Sequence, residues 1–130
     1  MGQKTLLPEV PIGTIPTTTD GASAPTVYAV VSTDSQQWHD IGDASVVTLF
    51  CEVIQAPTGT SPTLDMKLQH APTTAGPWDD IPSGALTQFT TVAAIESVTV
   101  TSFARFVRVV EKFANADNVY SYTIRLSKVE

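Results

Sequence analysis

Thr63-Leu64-Asp65-Met66-Lys67-Leu68-Gln69-His70 alternates without a break between apolar and polar residues. Leu64, Met66 and Leu68 share one face of an extended chain, and Asp65, Lys67 and Gln69 share the other. A period of two over this length marks a half-buried strand of an antiparallel sheet, with one face on a core and one toward water. Residues 120–128 repeat the pattern, with Tyr120, Tyr122, Ile124 and Leu126 opposite Ser121, Thr123, Arg125 and Ser127.

Outward from these two runs the chain reads as strand after strand. The β-branched run 46–54 and the Val-rich run 105–112 are the longest, and 26–31, 87–93 and 97–101 are further candidates. Turn formers separate them: Pro57-Thr58-Gly59 with Ser61-Pro62, Ala75-Gly76-Pro77, Ser83-Gly84 and residues 115–118. No stretch carries a helical period, so crossover helices and a parallel α/β sheet are excluded. The expected fold is an all-β, antiparallel β-sandwich or jelly roll of about seven to eight strands, spanning residues 26–130.

Residues 1–25 read differently. Pro8, Pro11, Pro16 and Pro25 rule out helix and central strand. Leu6, Leu7, Val10, Ile12 and Ile15 are spaced through the segment, which a solvated linker does not need. The reading is an extended N-terminal arm that lies on its own domain, on a neighbouring subunit or on a partner.

Composition narrows the function. The 130 residues include 7 Lys and Arg against 13 Asp and Glu, for a net charge of −6. The basic residues are scattered, so neither nucleic acid nor an acidic membrane surface is an expected partner. The single Cys51 lies in an apolar run and reads as a small buried hydrophobe. Residues 1–4 are not followed by the apolar core of a signal peptide, and no run approaches the ~20 residues of a membrane span. The chain is expected to be made in the cytoplasm.

Few residues of the chain carry chemistry. There is no Gly-x-Ser-x-Gly elbow, no phosphate-cradling loop, and no partner for His39 or His70 at metal-ligand spacing. No catalytic residue, metal or cofactor is expected, and the chain is not read as an enzyme. Asp40, Asp43, Asp79 and Asp80 sit in loops, where Asp is the ordinary turn residue; Ca²⁺ binding and carboxylate catalysis are the sharper alternatives. Trp38 and Trp78, with Tyr28, Tyr120 and Tyr122, fit either a core or a sugar-stacking platform. Arg105 and Arg108, three apart on one strand, are expected on opposite faces, one in a cross-strand charge pair and one toward solvent or an interface.

Trp38-His39-Asp40-Ile41 and Trp78-Asp79-Asp80-Ile81 repeat one pattern, Trp-x-Asp-Ile. Its modest structural reading is that Trp and Ile pack while Asp caps a turn.

The sequence resembles a group of small structural proteins of tailed bacteriophages. The likeness rests on a turn at Gly59 leading to Leu64-Asp65-Met66-Lys67-Leu68-Gln69, followed by Trp78-Asp79-Asp80-Ile81-Pro82. Phe103-Ala104-Arg105-Phe106-Val107-Arg108-Val109-Val110 and the final alternating strand complete it. It covers roughly residues 38–126. It departs at Asn115-Ala116-Asp117-Asn118, where similar proteins often carry a Gly-Thr turn.

The resemblance implies a jelly-roll-like virion protein without catalytic residues, in the role of capsid decoration (cement). It implies self-association, as a homotrimer, and the major capsid protein as partner, on the outer surface of the head. The arm residues Leu6, Leu7, Val10, Ile12 and Ile15, with Arg105 and Arg108, are the expected contacts. The alternatives are a tail, neck or head-fibre component and, from another class, a carbohydrate-binding β-sandwich module.

Overall fold

The computed structural model describes residues 10–16, 26–31, 37–42, 44–55, 59–90, 94–116 and 121–129. These residues form nine strands and no helix. In chain order they are β1 (Val10–Pro16), β2 (Ala29–Val31), β3 (His39–Asp40), β4 (Val46–Gln55), β5 (Gly59–Ala71), β6 (Asp79–Ala85), β7 (Ile95–Val100), β8 (Phe106–Ala116) and β9 (Ser121–Val129).

Two antiparallel sheets make a sandwich. One has the order β1-β9-β4-β7; the other has β2-β8-β5-β6, with the short β3 also on β8. We call them sheet A and sheet B. The alternation read in the sequence is the alternation of burial. Leu64, Met66 and Leu68 point into the core from β5, and Val107, Val109 and Phe113 from β8. Val47, Leu49, Cys51 and Val53 of β4 meet them with Tyr122, Ile124 and Leu126 of β9. This interdigitated apolar layer between two sheet faces is what holds a β-sandwich together.

The segment read as an arm contributes β1. It runs antiparallel to β9 of its own chain, from Val10 opposite Leu126 to Pro16 opposite Ser121, with a register shift between Pro11 and Gly13. As an edge strand it accommodates prolines that a central strand cannot. Val10, Ile12 and Ile15 lie on this strand, whereas Leu6 and Leu7 fall outside the described residues.

Three expectations are corrected. Residues 87–93 are not a strand in their described part: Phe89 makes an isolated bridge to Leu64, with both backbone bonds at 2.9–3.0 Å, and its ring is buried. Ser83-Gly84 does not separate strands but forms an irregularity inside β6, where Ser83 adopts φ 61°. Ser61-Pro62 likewise lies within β5, at a register shift between Gly59 and Thr63, with Ser61 at φ 52°. Turn chemistry in these two places bends a strand instead of ending it.

Candidate functional site: the outer face of sheet B

The two Trp-x-Asp-Ile tetrads enter the fold in equivalent places. One leads into β3 on β8, and the other leads into β6 on β5. Because β8 and β5 are neighbours, the tetrads flank one central pair of strands. The register runs across the sheet at successive levels. Asp40, Phe106 and Ala71 align at one level; His39, Val107, His70 and Asp79 at the next; and Arg108, Gln69 and Asp80 at the third. In both tetrads the isoleucine is buried in the core, Ile41 and Ile81 each at 3% exposure.

The alternation that sends Val107 and Leu68 inward sends Phe106, Arg108, Lys67 and Gln69 outward, so they share the outer face with Trp38, Asp40, Trp78 and Asp80. Cations and rings interleave there. The Arg108 guanidinium sits 4.4 Å from the centre of the Trp78 ring and donates from Nε to Gln69 Oε1 at 2.9 Å. Lys67 Nζ lies 3.8 Å above the Tyr28 ring and Lys112 Nζ 4.8 Å from it. Trp38 meets Phe106 edge to face at 5.5 Å. Contacts of these kinds add specific geometry to ordinary apolar packing.

The carboxylates are committed to holding this layer. Asp80 accepts from Lys67 Nζ at 2.8 Å and from Gln69 Nε2 at 2.9 Å. The Lys67 bond, then that from Gln69, hold its carboxyl below the usual carboxylate range. Asp40 takes a fork from Arg105, Nε to Oδ1 at 3.0 Å and Nη2 to Oδ2 at 2.8 Å. Its Oδ1 also caps the turn at Gly42 N, 2.9 Å away. Arg105, and then the Gly42 amide, lower its pKa. The capping role read for Asp40 is therefore present. Asp43 lies outside the described residues, and among the described residues no three His, Cys, Asp or Glu side chains gather as a metal site.

The two arginines do not take opposite faces. Arg105 precedes β8, where the pleat rule does not apply, and its guanidinium reaches Asp40 and the Phe106 ring (5.3 Å) on the side where Arg108 lies. The expected charge pair is Arg105 with Asp40.

Beneath the rings is a second apolar layer that the sequence reading missed. Ala71 and Val110 are exposed by only 1% and 2%, yet both stand outside the core between the sheets. Alternation puts them on the outer face of sheet B. Val110 is the register partner of Lys67 and lies two residues before Lys112, the two lysines that approach the Tyr28 ring. A signal was present: Val109-Val110 breaks strict alternation in β8. Gly76 positions Trp78. At φ +99° it takes a conformation that suits glycine, and a Cβ there would come within 3.2 Å of Trp78 Cδ1.

No protein-family model matches this sequence, and no curated protein matches it. Solved structures with a similar arrangement include a protein of the Bacillus endospore appendages, described as disulfide-linked pili. It has 16% identity and a TM-score of 0.46 over 98% of this chain and 89% of that one. A Clostridium thermocellum xylanase 10B structure with CBM22-1 and GH10 modules, complexed with xylohexaose, has 7% identity and a TM-score of 0.40. The match covers 71% of this chain and 18% of that one. A CBM4 structure has 14% identity and a TM-score of 0.41, over 78% of this chain and 70% of that one. At this distance the likenesses carry no functional argument.

The remaining residues singled out in the sequence are distributed as follows. Tyr122 is fully buried in the core and is not part of any sugar platform, and Tyr120 lies outside the described residues. His70 accepts the Ala104 amide at Nδ1 (2.9 Å), tying the loop before β8 to β5. Cys51 is buried as expected of a core thiol.

Proposed function

We propose that this chain is a non-enzymatic virion structural protein that decorates the outer surface of a phage head. One observation supports the reading most. The segments that resemble tailed-phage structural proteins, Leu64–Gln69, Trp78–Pro82 and Phe103–Val110, are far apart in sequence. They come together as neighbouring parts of sheet B and present Gln69, Trp78, Asp80 and Arg108 on one face. A decoration protein needs a rigid domain with such a face and no reaction chemistry. The edge strand β1 has β9 on one side, and no described strand pairs with its other side, which offers backbone groups to a neighbouring chain. Clustering as a trimer around a local symmetry axis fits the usual closed assembly of such proteins. The test is co-sedimentation of the full chain with undecorated heads. Saturable, stoichiometric occupancy supports the reading, and absence of binding removes it.

A second reading, a carbohydrate-binding module, is favoured by the exposure of Tyr28 and Trp38, 38% and 39%, on the sheet whose outer face also carries the polar Gln69 and Asp80. Against it, cations already lie over the Tyr28 and Trp78 rings, where a sugar would stack. A tryptophan fluorescence titration with polysaccharides separates the two readings.

A further inference from the structure

We infer that the outer face of sheet B is the surface that docks on the shell, and that it receives an acidic segment of the major capsid protein carrying apolar side chains. The inference rests on the decoration reading above and adds to it the face used and the chemistry of the partner.

Charge is the first argument. The chain carries −6 overall, yet the strand positions facing outward on β5, β6 and β8 do not share that bias. Lys67, Arg108 and Lys112 stand there against Asp65 and Asp80. Asp80 is paired with Lys67, and Asp65 accepts from Gln88 Nε2 at 3.0 Å. Arg108 stacks on Trp78 and donates to an uncharged Gln69, while Lys112 lies by the Tyr28 ring opposite Asp65, whose carboxylate is engaged by Gln88. A carboxylate brought by a partner completes both. With a net charge of −6 the chain as a whole disfavours an acidic partner, so a face without that bias also favours one orientation.

Composition is the second argument. Of the four large apolar residues that stand exposed among those described, Val27, Tyr28 and Trp38 border sheet B along β2 and β3. Ile95 alone belongs to sheet A. Trp, Tyr and Arg are the residues over-represented at binding hot spots, because they bury large area with few rotamers. On the outer face of sheet A, among the described residues, Phe50 and Ile95 stand among Thr and Ser side chains with Glu52 and Arg125, and neither Trp nor Tyr is present.

The face is also rigid. The rings and cations are held by Gln69, Asp80 and Asp40 and backed by the buried Ala71 and Val110, so little ordering remains to be done on docking.

The experiment uses the full chain and undecorated heads. Lys112→Glu and Trp38→Ala are the test variants, because neither residue belongs to the core between the sheets. Ser97→Glu on sheet A is the control. Thermal melts establish that each is folded, and Lys112→Gln serves as the milder substitute should Lys112→Glu fail to fold. The expected result is loss of head affinity by about tenfold or more for each sheet B variant, with Ser97→Glu binding like the parent. Affinity should also fall with added salt. If the parent binds heads and the sheet B variants bind equally well, the face is wrong while the decoration reading stands. If the parent does not bind heads, the decoration reading falls and takes this inference with it. Polysaccharide binding by the parent that is lost in Trp38→Ala, with head binding unchanged, assigns the face to glycans and overturns the proposal.

Discussion

The Tyr122 hydroxyl of β9 donates to the Glu111 carboxylate of β8 across the interior of the sandwich. Glu111 occupies the inward phase of β8, between Val109 and Phe113, and is therefore an acid in a row of core residues. Burial raises its pKa, opposed by the Tyr122 hydrogen bond. Burial likewise raises that of Tyr122, helped by the Glu111 charge.

The sign of the pH dependence follows. A carboxyl whose folded pKa is raised favours the fold at pH below its unfolded value, and that contribution is lost as pH rises through the folded pKa. Glu111→Gln should therefore be more stable than the parent at pH 8, by on the order of 1 kcal/mol or about 3–5 °C in Tm. The advantage should vanish near pH 4. Urea midpoints of both proteins across this range test it; a constant difference at every pH would show that Glu111 does not titrate between the states. Tyr122→Phe should do the opposite, costing about 1–3 kcal/mol at neutral pH by leaving the carboxylate without its donor.

Cys51 faces the same interior. Burial, then the charges of Glu111 and Glu52, push its thiol up to about 12. At pH 8 only about one molecule in ten thousand holds the thiolate, the form that reacts. A thiol-reactive dye should leave the native protein unlabelled for hours and label it once, stoichiometrically, in denaturant. Rapid labelling of the native chain at the same pH would mean that β4 opens locally.

Much of the fold was legible because alternation is local. Residues 64–70 and 122–126 announce their buried face by period two alone, and both proved to be core strands. What was not legible depended on partners distant in sequence. Asp79–Ala85 becomes a strand because β5 is there to pair with it, although Pro82, Ser83 and Gly84 argue locally for a turn. Phe89 is buried by bridging Leu64, but its neighbours do not continue the ladder. The site shows the same division. The repeated Trp-x-Asp-Ile was visible as a pattern. That its two copies flank one strand pair is a consequence of sheet order, and that Arg105 and Arg108 share a face follows from Arg105 lying just before β8; no local reading contains either.

Asp80 ties β6 to β5 through Lys67 and Gln69. A carboxyl with a lowered pKa stabilises the fold above its unfolded pKa and loses that contribution as pH falls through the folded value. Asp80 is half exposed, so solvent screens the pair, and Asp80→Asn should cost no more than about 0.5 kcal/mol at pH 7. The gap should close as pH falls below the ordinary aspartate range, and 1 M salt should shrink it at pH 7. Chemical denaturation of parent and variant at pH 7 and pH 2 checks this. An undiminished gap at pH 2 would assign the effect to lost packing.

The layer under the aromatic rings gives the sharpest contrast between face and burial. A substitution on the solvent side of a sheet ordinarily changes stability by a few tenths of a kcal/mol. Ala71 is on that side but has 1% exposure, and its register partner is Phe106. Ala71→Leu inserts three carbons where the outer face is already closed, so it should cost about 1–3 kcal/mol, as overpacking does in a core. It should also disturb the nearby rings, seen as a shift in tryptophan emission of the folded protein. Ser97→Leu, on the exposed outer face of sheet A, places the same side chain without such a lid and should change stability by less than about 0.5 kcal/mol. If Ala71→Leu were equally silent, Ala71 would be open to solvent, and the rings of sheet B would be separate surface residues and not a packed layer.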